Sequence, residues 1–192
     1  MARKREKDKE WQNLMNTKFS VEPGTREDID ELARLFDELN DYLAETINWP
    51  GWRKGLYPVR QTAEDAVEKG TLFVVRDEEG VIAGTVRLTH EPEPAYFKAI
   101  WGIEADYSEL IVVHTLAVHP SYMKKGPSRL MLNFAEEYGR KQGIKAIRLD
   151  VSVHNQPAIR LYESCGYRYV DTVDLELGIP GLEYFRLYEL IL

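Results

Sequence analysis

The sequence contains one cysteine, no long apolar run and no excess of positive charge, and each shortage excludes a class of protein. Cys165 cannot form an internal disulfide. No apolar run approaches the length of a membrane span or of a signal peptide core, so we expect a cytoplasmic protein with no membrane partner. With 32 acidic residues against 25 basic ones and a net charge of −7, nucleic acid is disfavoured as the main partner.

The common nucleotide-binding motifs are absent as well. A Walker A loop needs Gly-Lys-Ser/Thr after four intervening residues, and a Rossmann fingerprint needs three glycines within six positions; neither occurs. We also expect no metal. The sequence has no internal repeat and no break in composition, and 44% of its residues are hydrophobic. We therefore predict a charged extension over residues 1–17 and a single domain over residues 18–192.

The most informative stretch runs from Ile111 to Gly143. Residues 111–118 are rich in β-branched side chains and are followed by Pro120, which predicts a buried strand that ends in a turn. A basic turn follows, and from Pro127 onward apolar residues recur at helical spacing. The free amides and positive dipole end of that helix, together with two lysines in the turn, predict a site for pyrophosphate or another anion.

Other segments predict the rest of an α/β chain. Thr25 followed by Asp28 resembles a capping box that opens an amphipathic helix, and Thr62 marks a second helix start. Residues 71–76 and 81–88 predict a hairpin around a short acidic turn. Further strands are predicted over residues 146–151, 167–173 and 183–190, with a short helix over residues 157–165.

The run from Leu116 to Ser128 resembles the acetyl-CoA signature of the GNAT N-acetyltransferase superfamily, which ends in Arg/Gln-x-x-Gly-x-Gly/Ala. A later run from Asn155 to Tyr167 resembles that superfamily's Asn-x-x-Ala-x-x-x-Tyr-x-x-x-Gly-Phe/Tyr pattern. The resemblance implies a mixed α/β fold with a mostly antiparallel sheet of about seven strands, about four flanking helices and a splayed central parallel pair. It also implies acetyl-CoA as cofactor and direct acetyl transfer to a primary amine of a small molecule or peptide.

The resemblance implies that the backbone of the central strand pairs with the pantetheine arm, and that the Val118 amide stabilises the reacting carbonyl oxygen. The sequence departs from the family pattern at Met123, at Lys124, where many members have glycine, and at Ser128. We therefore expect weaker but retained phosphate binding; the alternative is a lysine-tipped solvent loop. The residues assigned to the cofactor are Leu116, Ala117, Val118, Met123, Lys124, Lys125, Gly126, Pro127, Ser128, Arg129, Asn155, Ala158 and Tyr162.

Three residues are candidates for proton transfer. Tyr162, two helical turns beyond Asn155, is expected to protonate the leaving thiolate; the alternative is a core tyrosine with a satisfied hydroxyl. The position of the superfamily's usual carboxylate base is occupied by Val112. Strand alternation places His114 on the face shared by Val112, Leu116 and Val118, so His114 is the expected base unless it is packed inside the strand, and Glu109 is the fallback.

Two aromatic loops, over residues 49–57 and 96–107, are the candidates for acceptor binding. The tryptophans of the first loop could equally cover an edge of the core. The acidic balance favours a cationic acceptor, and a homodimer is left open. The alternative function is a non-catalytic acyl-CoA-binding module. The residues predicted to line the acceptor site are Tyr42, Trp49, Trp52, Tyr57 and Trp101.

Overall fold

The computed structural model describes residues 18–192, so the predicted extension over residues 1–17 lies outside the described residues. A seven-stranded mixed sheet runs through this part of the chain in the order β1-β2-β3-β4-β5-β7-β6. The neighbouring pair β4 and β5 is parallel, whereas the other neighbours are antiparallel. The strands are β1 Phe19–Pro23, β2 Leu72–Asp77, β3 Ile82–Thr89, β4 Leu110–Val118, β5 Ala146–Ser152, β6 Arg168–Asp174 and β7 Tyr184–Ile191.

Four α-helices accompany the sheet within residues 18–192. The predicted capping box is confirmed, because the Asp28 carboxylate accepts the Thr25 amide at 2.8 Å before the first helix begins. The second helix begins two residues earlier than predicted, since Thr62 is its third residue and accepts the Val59 amide. The helices are α1 Ile29–Glu45, α2 Arg60–Glu68, α3 Pro127–Lys141 and α4 Gln156–Ser164.

The helices cover the two faces of the sheet. On one face, α3 and α4 pack on the larger core, in which Met131 and Leu149 are almost fully buried. On the other face, α1 and α2 form a second core with β2, and Leu32 and Phe36 have no exposed surface. Burying one such side chain contributes about 1.5–3 kcal/mol. None of the helices within residues 18–192 has the length and apolar character needed to cross a bilayer.

The two parallel strands separate halfway along their length. Their pairing begins at Leu110 with Ala146 and ends at Val113 with Leu149. Both strands continue beyond that point, β4 to Val118 and β5 to Ser152, without pairing with each other. The predicted splayed pair is confirmed. We call the space between the separated segments the gap.

A β-bulge at Thr115 corrects one prediction. His114 pairs with Arg87 and Ala117 pairs with Thr85, so three steps along β4 match two steps along β3. Thr115 has a φ of 45°. The extra residue reverses the alternation: His114 shares its face with Val112, whereas Leu116 and Val118 pack on the larger core with α3. The predicted common face of His114, Leu116 and Val118 was therefore wrong.

The loop between β3 and β4 is tied to the sheet by a buried ion pair. The Arg148 Nε atom lies 3.0 Å from a Glu189 carboxylate oxygen, and both side chains are almost fully buried. Arg148 also donates to the Ile103 carbonyl at 2.9 Å, and its guanidinium lies 4.1 Å from the centre of the Trp101 ring. These contacts hold the long loop, which contains short 3₁₀ helices at Pro94–Lys98 and Tyr107–Glu109, against β5 and β7.

Candidate active site

The gap exposes backbone groups of β4 that would otherwise pair with β5. The His119 amide donates to the Ala83 carbonyl of β3 at 3.0 Å. Because amides alternate in direction along a strand, the preceding Val118 amide points to the opposite side, towards the gap. An amide in this position can donate to a carbonyl oxygen held in the gap.

The loop between β4 and α3 is anchored at two points. The Tyr122 hydroxyl donates to Asp77 at the end of β2, and this hydrogen bond raises the pKa of Tyr122 to about 12. The His119 Nε2 atom lies 2.6 Å from a Glu38 oxygen on α1, while its Nδ1 accepts the Ser121 amide. Since an Nδ1 that accepts leaves the proton on Nε2, His119 donates to Glu38. The loop is thereby held between α1 and the β2-β3 hairpin.

The tip of this loop presents cations and amides at the start of α3. Lys124 and Lys125 are exposed, and the Gly126 N-cap has a φ of 108°. Among residues 18–192, the amides of Gly126 and Ser128 donate to no protein acceptor. Such an arrangement fits a pyrophosphate, because unpaired amides and the helix dipole favour bound anions.

Two of the residues assigned to the cofactor, Met123 and Arg129, make contacts within the protein. Met123 is partly buried and packs against both hydrophobic cores. Arg129 donates to the Ser164 hydroxyl at 2.6 Å and contacts the Cys165 thiol at 3.5 Å, so it connects α3 to the end of α4. Partial burial raises the pKa of the Cys165 thiol, which disfavours the reactive thiolate.

The second departure, Lys124, occupies a backbone conformation that favours glycine, with a φ of 62°. We expect Lys124→Gly to raise the free energy of unfolding by about 1 kcal/mol, because a left-handed backbone is costly for a residue with a Cβ atom. Equilibrium urea denaturation measures the change. Lys125→Gly is the matched control, since Lys125 is not among the positive-φ residues and its replacement should be destabilising. Equal effects of the two changes would contradict the prediction.

Helix α4 brings Tyr162 to the larger-core side of the gap. Asn155 is the N-cap of this helix and accepts the Ala158 amide at 3.3 Å, so it lies just before the helix and about two turns from Tyr162. Tyr162 is 7% exposed, and its ring packs near Tyr167 and Tyr188. Burial raises its pKa, with a further contribution from the Asp150 charge.

The Tyr162 hydroxyl forms no hydrogen bond with any residue of the described chain. The raised pKa keeps the phenol protonated throughout the physiological pH range. A protonated hydroxyl without a protein acceptor is available to donate to a group entering the gap. This arrangement differs from the alternative considered above, in which the hydroxyl of a core tyrosine is satisfied within the protein.

The opposite face of the gap carries a second set of polar side chains. The His114 Nε2 atom lies 3.1 Å from the Glu91 carbonyl oxygen. A carbonyl can only accept, so Nε2 carries the proton and Nδ1 of the neutral ring can accept one. Beside it, the Tyr57 hydroxyl bonds to the Thr115 hydroxyl at the bulge. Although Tyr57 is 38% exposed, burial of its hydroxyl raises its pKa.

Comparison with known proteins identifies the family. The model of the acetyltransferase (GNAT) family matches residues 32–167, which is more than half of the chain. The chain belongs to the GNAT acetyltransferase family. Members of this family are acyltransferases that use acetyl-CoA. The predicted family, fold and cofactor are confirmed.

Individual relatives of this GNAT chain agree with that assignment. An uncharacterized N-acetyltransferase of Methanocaldococcus jannaschii is 25% identical over 84% of this chain, which spans 65% of that relative's length. A GNAT-family acetyltransferase structure from Streptococcus agalactiae superposes with a TM-score of 0.75 at 18% identity, covering 91% of this chain and 95% of that one. A structure from Salmonella typhimurium, described with its cofactor acetyl-CoA, has a TM-score of 0.64 at 15% identity, covering 90% of this chain and 93% of that one.

Glu109, the fallback base, does not reach the gap of this GNAT fold. Its carboxylate pairs with Lys145 at 2.6 Å at the beginning of β4, whereas the gap opens at the other end of that strand. The hydrogen bond from Lys145 lowers the pKa of Glu109. Its position therefore does not support a role in taking the acceptor's proton.

The predicted acceptor residues do not all lie at the gap. Tyr57 reaches the gap, and Trp52 supports it through an edge-on ring contact at 5.6 Å while packing on the second core. Trp49 lines an open cleft of about 200 Å³ together with His154 and Leu182. Tyr42 is exposed on α1.

Trp101 supports the neighbouring loop. Its indole donates to the Tyr96 carbonyl at 2.8 Å, and its ring lies against Arg148. The hydrogen bond from the Trp101 indole positions Tyr96. The Tyr96 side chain has no exposed surface, and its hydroxyl donates to Asp150 at 2.8 Å. The sequence analysis missed both Tyr96 and Asp150. The available signal was an aspartate within the predicted strand over residues 146–151.

Proposed function

We propose that this GNAT protein transfers the acetyl group of acetyl-CoA to a primary amine of a small molecule or peptide by direct attack. The observation that supports the proposal most strongly is the convergence on one gap of the Val118 amide, the unpaired Tyr162 hydroxyl and the His114 imidazole. Direct transfer needs a stabilised carbonyl oxygen, a proton donor for the thiolate and a proton acceptor for the amine. Each has one of these groups as its candidate.

The chain's own groups would divide the work as follows. Acetyl-CoA supplies the activated thioester. Gly126, Ser128 and the two loop lysines would hold its pyrophosphate, and the β4 backbone would align its pantetheine arm. The Val118 amide would donate to the carbonyl oxygen as negative charge develops. His114 Nδ1 would take the amine's proton, and Tyr162 would protonate the departing sulfur.

The rival function is a non-catalytic acyl-CoA-binding module, which the departures at Met123 and Ser128 and the absence of a carboxylate at Val112 suggested. The unpaired Tyr162 hydroxyl favours catalysis, because a binding module has no need of a proton donor facing the gap. Release of free thiol from acetyl-CoA across a panel of alkylamines, diamines, amino acids and short peptides separates the two functions. Amine-dependent thiol release is the expected result, and its absence with every amine would contradict the proposal.

The cofactor site can be tested through stability. Acetyl-CoA should raise the melting temperature, because a ligand that binds only the native state stabilises it. Changing both Lys124 and Lys125 to Glu should weaken binding by about tenfold or more, since two attractions to the pyrophosphate become repulsions. Isothermal titration calorimetry measures the dissociation constant.

The matched control changes the same amount of charge at the far end of α3. Lys141→Glu with Lys145→Glu should leave the affinity for acetyl-CoA within about twofold, because charges beyond a Debye length of about 10 Å are screened. An unchanged affinity in the Lys124 and Lys125 variant would remove the phosphate-binding role from this loop.

A further inference from the structure

Asp150 lies at the point where the parallel strands separate. Val113 and Leu149 are the last paired residues of β4 and β5. The next residue on each strand is His114 and Asp150, and continuation of the parallel register places these two opposite each other across the opening. Both lie on the sheet face that carries Val112 and Arg148, away from α3.

The surroundings of Asp150 leave its negative charge without a cationic partner. Its Oδ2 atom accepts the Tyr96 hydroxyl, and within residues 18–192 no lysine or arginine forms an ion pair with it. Electrostatic interactions connect Asp150 to His114 on β4, to Glu93 and Tyr96 in the long loop, to Tyr57 in the aromatic loop and to Tyr162 on α4.

Glu93 adds a second negative charge to this environment. A recessed carboxylate without a cation is costly, and proteins keep such groups where a ligand or a reaction uses them. Asp150 is only partly covered, so the gap leaves it accessible. Arg87, which neighbours His114 on β3 and acts on Tyr57, forms its ion pair with Glu91 at 3.3 Å and not with Asp150.

We propose that Asp150 binds the ammonium group of the acceptor opposite His114 and thereby selects aliphatic primary amines, which are protonated at neutral pH, over aromatic amines, which are not. This inference rests on the proposed function. The ammonium nitrogen donates to the Asp150 carboxylate and gives one proton to Nδ1 of His114. The lone pair of the neutral amine would then bond the thioester carbon as the carbon–sulfur bond breaks, and Tyr162 would protonate the departing sulfur. The nitrogen would give its second proton to solvent as the amide forms. Solvent restores both side chains to their starting protonation states.

The decisive variant is Asp150→Asn, which keeps an oxygen to accept the Tyr96 hydroxyl and removes only the charge. NMR titration of the CoA-saturated protein with n-butylammonium chloride and with n-butanol measures the preference for a cation. The wild type should bind the ammonium about tenfold or more tightly than the alcohol, and the variant should bind the two within about twofold. Asp171→Asn, at an exposed position on β6, is the matched control and should keep the wild-type preference.

Turnover gives an independent readout. Asp150→Asn should lower kcat/KM for n-butylamine about tenfold or more and leave that for aniline and the KM for acetyl-CoA within about twofold. A wild type that prefers the ammonium without acetylating any amine would contradict the proposed function and uphold the Asp150 site. Equal binding of ammonium and alcohol by the wild type, or an unchanged preference in Asp150→Asn, would overturn the inference.

Stability separates this role from a structural one. Burial raises the pKa of Asp150, so the folded state binds that proton more tightly than the unfolded state. The ionised carboxylate therefore costs stability at neutral pH, and the cost disappears as pH falls through the raised pKa towards the ordinary aspartate value. Asp150→Asn should melt no lower than the wild type at pH 7. Tyr96→Phe, which keeps the carboxylate, should retain the ammonium preference; its loss there would place the recognition on the tyrosine and overturn the inference.

Discussion

Replacing Tyr162 by phenylalanine should lower the turnover of this GNAT protein by about 10² or more and leave its affinity for acetyl-CoA nearly unchanged. The expected loss is that of a general acid. The phenol is buried, has no hydrogen-bond acceptor among residues 18–192 and is kept protonated by a raised pKa, so it can deliver its proton as charge develops on the sulfur. Phenylalanine keeps the ring packed against Tyr167 and Tyr188 and removes only the hydroxyl.

Tyr167 provides a matched control for this experiment. It is 3% exposed, its hydroxyl is buried with no hydrogen-bond partner among residues 18–192, and its ring centre lies 6.0 Å from that of Tyr162. Tyr167→Phe should therefore leave kcat within about twofold and should not lower stability, because an unsatisfied buried hydroxyl is lost. Steady-state kinetics of thiol release and calorimetric titration with acetyl-CoA measure both quantities. Wild-type turnover in Tyr162→Phe would assign the proton to water.

Replacing His114 by glutamine should lower kcat/KM for the acceptor by about 10² near neutral pH, the usual size of a lost general base. A protonated imidazole cannot accept a proton, so wild-type turnover should fall on the acid side of the profile. In the variant this limb should move to higher pH, where a growing fraction of the acceptor is already neutral. The difference in kcat/KM between the variant and the wild type should therefore shrink as pH rises. Measurement of kcat/KM between about pH 5.5 and 9.5 tests this.

A packed histidine would behave differently. In that case the replacement should cost stability first, with an unchanged pH limb in the fraction that folds. His90→Gln is the matched control, because His90 contacts the Leu110 carbonyl at 2.6 Å, at the end of β4 far from the gap, and should leave the pH profile unchanged. If folded His114→Gln kept the wild-type kcat/KM and an unshifted acidic limb of the pH profile, His114 would not be the general base. Solvent would then be the proton acceptor.

Several parts of this molecule could be predicted from short stretches of sequence. The strand, basic turn and helix between Ile111 and Gly143 were predictable because each depends on local chemistry: β-branched residues, a proline stop, a proline at the first helical position and a glycine beyond the last turn. The capping box at Thr25 and Asp28 is local in the same way. The family signature also marked Lys124 as occupying a glycine position, and its φ of 62° gives the physical reason.

Other predictions failed where the outcome depended on distant segments. Strand alternation placed His114 with Leu116 and Val118, but a bulge opposite β3 reverses the phase within three residues, and a period-two pattern does not reveal it. Glu109 lies near His114 in sequence, yet an extended strand carries it to the opposite end of β4, where Lys145 neutralises it.

The sequence by itself determined the family, the order of strands and helices and the basic turn, because caps, turn residues and hydrophobic periods act within a few residues of one another. Only the tertiary structure decided which side chains meet in the gap. His114 and Asp150 face each other because β4 and β5 pair in one parallel register and then separate. Tyr96 reaches Asp150 because Arg148 and Trp101 hold the long loop in place. These contacts join residues dozens of positions apart, and their geometry is set by strand pairing and core packing, which no local pattern specifies.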